Sequence, residues 1–233
     1  MATYDLSQPL ESGMQTYPGD PPVDVTAHAD FGAAEAAPTG GPHASGSDSD
    51  GDSDGYRVTA LSLGSHTGTH VDAPSHTEVE GATLGSYDLD SFRFDAQLAD
   101  VRIGARESIP VETLPAPTDA DLLVLRTGWD AHWGTDRALD HPFLTVEAAR
   151  WCVDHGYHVA TDALSVDPTP SPNATADEPA GFGAHHALLG AGWLIYENLT
   201  GLDRLPARFR LHAYPLALDA DGAPVRAVAV TDE

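Results

Sequence analysis

The sequence predicts an α/β protein built on a mixed sheet or barrel-like core with few helices. Asp121-Leu-Leu-Val-Leu-Arg126 is a short, nearly continuous apolar run, the pattern of a strand buried on both faces. Strand-like segments recur along the chain, whereas helical patterns are short and few. With 233 residues, 41% of them hydrophobic, the chain is long enough to bury a full core as one domain spanning 1–233. No repeat or linker divides it.

The elements follow in order. Residues 33–55, which include Gly46-Ser-Asp-Ser-Asp-Gly-Asp-Ser-Asp-Gly55, are acidic, low in complexity and almost devoid of large apolar groups. Such a stretch buries too little surface to offset its ordering entropy, so a disordered acidic insertion is expected there. Residues 56–63 follow, alternating polar and apolar from Val58 to Leu63 as a half-buried strand does. Thr145–His155 reads as a helix closed by Gly156, with the single Cys152 packed within it. Tyr157–Thr161 reads as a strand, 183–190 as a short helix, and Gly192–Tyr196 as the next strand, with Glu197 at its end. Arg208–Leu218 and Pro224–Val230 read as two further strands, joined by a turn at Asp219-Ala-Asp-Gly222.

The densest chemistry lies in His66-Thr-Gly-Thr-His70-Val-Asp72-Ala-Pro-Ser-His76. Imidazoles and a carboxylate so close together suit zinc or manganese, and a site with few protein ligands leaves room for water. In extended backbone His70 and Asp72 point to the same side; Gly68 permits a bend and Pro74 disfavours a long helix. A divalent ion lowers the pKa of bound water from about 16 to about 7 and polarises a carbonyl under attack. A histidine near its ordinary pKa of about 6.5 takes a proton from that water and returns it to a leaving nitrogen. His76, set off by the proline turn, is the candidate for that work. The alternative for His76 is a fourth ligand or a partner behind the ligands. Asp162, Ser165 and Asp167 either position ligands or substrate, or cap a turn.

Acidic residues number 36 against 11 basic ones, all Arg, for a net charge of -25. Such an excess repels phosphate backbones and anionic membrane surfaces, which argues against nucleic-acid and membrane partners. It also repels itself unless salt screens it, and at molar salt the Debye length falls to about 3 Å. The acidity is read as an adaptation to a salt-rich cytoplasm. No apolar run approaches a span of about 20 residues and the first residues lack a basic, apolar leader, so a cytoplasmic location is expected.

His66-x-Gly68-Thr69-His70-x-Asp72-x-Pro74-x-His76 resembles the signature of the cyclase-like metal hydrolases, a family that includes bacterial kynurenine formamidases and isatin hydrolases. Other pieces similar to that family's follow in its order. They are Tyr17-Pro-Gly-Asp20, Leu125-Arg-Thr-Gly-Trp129, Asp162-Ala-Leu-Ser165-Val-Asp167, and His185-His-Ala-Leu-Leu189 leading to Glu197-Asn-Leu199. The resemblance implies the swivelling β/β/α fold and a homodimer or homotetramer. It implies His66, His70 and Asp72 as metal ligands, and His185 and Glu197 as completing a second position that Asp72 bridges. The isatin-hydrolase branch resembles a single manganese site, so one or two zinc ions are favoured and manganese is the alternative. His76 matches the histidine serving as general base and acid. Only the resemblance selects His185 over His186, which is read as a surface residue; neighbouring helical side chains project about 100° apart. Tyr17 is the substrate-facing aromatic, at a position where formamidases often carry Trp.

The implied activity is hydrolysis of a small-molecule, non-peptide amide, with N-formylkynurenine to kynurenine and formate as the leading reaction. A cyclic amide such as isatin is the runner-up substrate. A metal-dependent cyclase or lyase would use the same polarisation without net hydrolysis. A non-catalytic metal-binding protein would share the clustered histidines but would not require His76 or the distributed motifs.

Overall fold

The apolar run at 121–126 forms the middle of a nine-stranded sheet. The computed structural model describes residues 1–29 and 56–232; the acidic insertion expected at 33–55 lies outside them. In chain order the strands are β1 (Ala2–Asp5), β2 (Asp24–Ala29), β3 (Val58–Ser62), β4 (His70–Asp72), β5 (Arg93–Asp100), β6 (Ser108–Ile109), β7 (Leu122–Arg126), β8 (Phe143–Leu144), β9 (His158–Thr161), β10 (Ile195–Glu197), β11 (Arg208–His212), β12 (Gly222–Pro224) and β13 (Val228–Thr231). The helices are α1 (Val146–Asp154) and α2 (Gly183–Leu189).

The large sheet runs β1-β13-β11-β5-β7-β9-β10-β4-β12. Strands β5, β7, β9 and β10 are parallel, and antiparallel strands flank them on both sides. Period-two alternation along β7 divides its side chains between two cores: Leu122 and Val124 enter one, Leu123 and Leu125 the other. The first core gathers Ala223 of β12 at one edge and Ala229 of β13 near the other, together with Leu211 of β11 and Val71 of β4, so the sheet curls around it. The second core packs β7, β9 and β10 against Ala148, Ala149 and Cys152 of α1 and Ala184, Leu188 and Leu189 of α2. This is the mixed, barrel-like core with few helices that the sequence predicts.

Helix α1 starts where Thr145 accepts the Ala148 amide at 3.0 Å and ends before Gly156, whose φ of 79° is the left-handed stop glycine tolerates. Burial pushes the Cys152 thiol up to about 12, which leaves it a packing residue. No helix among the described residues is long and apolar enough to cross a membrane.

Three strand expectations give way. Strand β3 pairs with β2 in a separate two-stranded sheet and is exposed along its length, with Leu61 at 59%. Its alternation marks an apolar face, but neither core covers that face. The strand expected at 208–218 stops at His212, ahead of Pro215, which has no amide for a ladder. The strand expected at 224–230 is two strands, β12 at the sheet edge, where Pro224 is tolerated, and β13 between β1 and β11. Among the described residues, one bridge, Pro215–Val225, and the Leu216 amide to the Pro224 carbonyl stand in place of the expected hairpin. The turn at 219–222 instead delivers Asp221 and Gly222 to β4, where Gly222 lies opposite Asp72.

Candidate metal centre and active site

Strand β4 is extended, so His70 and Asp72 emerge on one side, as the sequence predicts. Antiparallel pairing with β10 sets Glu197 opposite His70. Gly68, at φ 61°, bends the chain so that His66 folds back, its Nδ1 2.7 Å from Asp72 Oδ1. Helix α2 supplies His185. The Asp167 carboxylate accepts His185 Nδ1–H at 2.7 Å and also the Ala184 and His185 amides at the start of the helix.

These groups converge. His70 donates Nδ1–H to the Gly68 carbonyl at 2.9 Å, which leaves Nε2 bare, 3.2 Å from Asp72 Oδ1 and 3.6 Å from Glu197 Oε2. His185, its Nδ1–H given to Asp167, turns Nε2 to within 3.6 Å of Asp72 Oδ2 and 3.5 Å of Glu197 Oε1. Two sets, His66–His70–Asp72 and Asp72–His185–Glu197, each keep their donor atoms within 4.8 Å of one another and share Asp72. Asp72 Oδ2 is buried without a hydrogen-bond partner. Bare imidazole nitrogens facing carboxylate oxygens repel unless a proton or a cation lies between them. The donors are the nitrogen and oxygen types a borderline divalent ion takes. The residues present therefore fit a divalent metal.

The electrostatics agree. Burial opposes charge on His66, yet Asp72 and Asp221 outweigh it and lift its pKa to about 9. Burial likewise opposes charge on His185, but Asp167, Asp72 and Glu197 carry it to about 10. Burial raises Glu197 to about 7, reinforced by the Asp72 charge. The pocket draws in positive charge that a metal would otherwise supply.

His76 ends a 3-10 turn at Pro74–His76, its ring 3.9 Å from that of His66 and 5.7 Å from that of His185. Burial holds its pKa below the usual value; Asp72 opposes this, and His66 and His185 add to it. A cavity opens over the cluster, walled by Tyr17, Leu164, His76 and Phe182. Tyr17 lies 6.4 Å from Phe182, ring to ring. His186 is exposed and pairs with Glu78 at 2.7 Å.

The alternatives for 162–167 separate. Asp162 does not cap its own turn; it reaches across to accept the Thr127 and Gly128 amides at 2.8 Å, just past the end of β7, whereas Ser165 caps locally, accepting the Asp167 amide at 3.2 Å. Asp167 both caps and positions, because its acceptors hold α2 and His185 together. Sequence reasoning missed Phe182 and Asp221. An aromatic just ahead of the His185 helix was the available signal for Phe182. Asp221 was hidden in a turn read as a hairpin connection, although its Oδ2 lies 2.8 Å from His66 Nε2.

A curled mixed sheet with three imidazoles and two carboxylates gathered beneath an aromatic-walled cavity defines an α/β protein whose central cluster fits a divalent metal. The chain belongs to the Cyclase family ("Putative cyclase"), whose model matches residues 4–168. It is 32% identical over 236 residues to a kynurenine formamidase of Salinibacter ruber, covering 98% of this chain and 97% of that protein. It is also 32% identical over 230 residues to a kynurenine formamidase of Bacillus cytotoxicus, covering 96% and 95%. Among solved structures, isatin hydrolase A from Labrenzia aggregata bound to benzyl benzoate superposes with a TM-score of 0.78 at 22% identity, covering 100% of this chain and 94% of that one. A structure described as a potential metal-dependent hydrolase with cyclase activity gives 0.72 at 23% identity, covering 98% and 96%. The structural likenesses show a shared fold.

Proposed function

We propose that this chain is a metal-dependent amidohydrolase that cleaves N-formylkynurenine to kynurenine and formate. The names of its relatives support the substrate. The observation that carries the chemistry is the Asp72 carboxylate, with one oxygen toward His66 and His70 and the other, unpartnered, toward His185. We assign His66, His70 and Asp72 to one metal position, and Asp72, His185 and Glu197 to a second. Zinc suits these donors and manganese is the alternative.

When bound, a divalent ion supplies Lewis-acid chemistry, acidifying water and polarising the amide carbonyl. The chain's own residues do the rest. The Gly68 carbonyl and Asp167 hold the tautomers of His70 and His185, so that both present bare Nε2 atoms. His76, its pKa held low by burial, is free to take a proton from the attacking water and return that same proton to the leaving nitrogen. Water adds across the C–N bond: the carbonyl carbon gains oxygen and leaves as formate, and the nitrogen gains a proton and leaves as the arylamine. Tyr17 and Phe182 wall the cavity with rings suited to packing against an aryl group. We read the chain as one domain over 1–233, a homodimer or homotetramer working in a salt-rich cytoplasm, a setting its charge of -25 suits.

The test uses protein stripped of metal and reloaded with zinc or manganese at high salt, with kynurenine followed by its absorbance. Turnover restored by metal is expected. Metal uptake with turnover of isatin alone would move the substrate to cyclic amides, and failure to take up metal would sink the reading.

A further inference from the structure

We propose that Asp221 is a positioning residue whose single carboxylate orients two histidines, holding His66 with Nδ1 turned into the metal cluster and His76 with Nε2 turned to the cavity. The proposal deepens the metal-hydrolase reading and rests on it. Asp221 Oδ2 lies 2.8 Å from His66 Nε2 and 3.4 Å from His76 Nδ1. A neutral imidazole has one N–H. If His66 gives it to Asp221, the lone pair falls on Nδ1, the atom 2.7 Å from Asp72 Oδ1. A carboxylate behind a ligand histidine is the usual way such a ring is held. His76 donating Nδ1–H to the same oxygen is left with Nε2 as its free acceptor. The two rings, 3.9 Å apart at their centroids, are thus set by one group.

The backbone is built for this approach. The Asp221 carbonyl accepts the Ala73 amide at 2.8 Å, and Gly222 pairs opposite Asp72. A Cβ at Gly222 would stand 2.6 Å from His66 Cε1 and 2.9 Å from the Val71 carbonyl. Only glycine lets strand β12 pass this close beneath the His66 ring, so the residue before it reaches Nε2.

The test compares Asp221→Asn and Asp221→Ala with Asp219→Asn, a change in the same turn at a side chain that bonds Thr83 instead. Metal-free proteins are titrated with zinc, and the zinc-loaded proteins are examined by histidine 15N NMR and by steady-state kinetics on N-formylkynurenine. The expected result is unchanged zinc stoichiometry with affinity at one position weakened about 10- to 100-fold in both Asp221 variants. Their kcat should fall with KM little changed, and wild-type spectra should show His66 protonated at Nε2 and His76 at Nδ1. Loss of one ion from the stoichiometry would make Asp221 a ligand and overturn the proposal. So would wild-type affinity in Asp221→Ala, the opposite tautomers, or an equal loss in Asp219→Asn. If the wild-type protein binds zinc but leaves N-formylkynurenine intact, the substrate reading fails, while titration and spectra still decide the role of Asp221.

Discussion

The Asp167 carboxylate lies 2.7 Å from His185 Nδ1, and its two oxygens also take the amides of Ala184 and His185 at 2.8 and 2.9 Å. One side chain thus satisfies the first turn of α2 and decides which nitrogen of His185 faces Asp72. Asp167→Asn replaces one acceptor with an NH2 group aimed at donors. We expect zinc affinity at the Asp72–His185–Glu197 position to fall about 10- to 100-fold, with activity falling alongside. Stability should fall by about 1 kcal/mol, the usual scale of a lost helix cap. Calorimetric titration checks it: two ions bound with wild-type affinity would show that Asp167 serves the helix alone.

His76 touches the cluster from the cavity side; it belongs to neither set that shares Asp72, but falls with His66 and Asp221 in a third group whose donor atoms lie within 4.8 Å of one another. His76→Ala should keep its full complement of metal and lose turnover by about a hundredfold to ten-thousandfold, the span of a general acid–base group. Metal analysis beside kcat separates the outcomes. Metal lost together with activity would make His76 a ligand.

What could be read in advance was local. His70 and Asp72 share a side because β4 is extended, and β7 divides its leucines between two cores because strands alternate. Both facts follow from neighbours in sequence. Asp221 meets His66 across 155 residues, through the pairing of β12 with β4, and no local periodicity encodes that pairing. The same limit misread β3: alternation at Val58–Leu63 shows an apolar face but not what lies against it. His185 and Glu197 fall between these cases. Their elements were legible, but their convergence on Asp72 was implied only by the family resemblance.

His141 sets a pH limit on the fold. It is buried, donating Nδ1–H to the Pro142 carbonyl at 2.9 Å and accepting the Thr169 hydroxyl at Nε2 at 2.7 Å. Burial pushes its pKa down to about 4, against the Pro142 bond that favours the charged ring. The unfolded chain binds this proton at about pH 6.5, before the folded chain does, so the contribution is whole above that pH and is lost as pH falls toward 4. At about 1.4 kcal/mol per pKa unit, the loss is on the order of 3 kcal/mol. Urea melts in high salt should show the drop, and His141→Gln should flatten the slope between pH 6.5 and 4 while lowering stability at neutral pH. An unchanged slope in the variant would assign the acid sensitivity to other groups.

The charge of -25 predicts that salt stabilises the fold. Seven of the eleven arginines pair with carboxylates among the described residues: Arg106 with Glu178 and Asp140, Arg226 with Asp5, Arg102 and Arg126 with Asp100, Arg208 with Asp119, Arg93 with Asp90 and Arg210 with Asp232. These pairs leave most carboxylates unbalanced. Between about 0.1 M and about 1 M KCl the Debye length shortens from about 10 Å to about 3 Å, which removes repulsion between separated carboxylates but weakens less the part-buried contacts such as Arg106–Glu178. We therefore expect the melting temperature to climb with KCl and less steeply with sucrose, which strengthens burial without screening charge. Replacing exposed acids that pair with no arginine among the described residues and lie outside the cavity lining, such as Asp88 and Asp203, with Asn should reduce the KCl dependence and leave metal affinity untouched. A melting temperature indifferent to KCl would mean that the paired arginines already balance the field that matters, and that the acidity serves solubility alone.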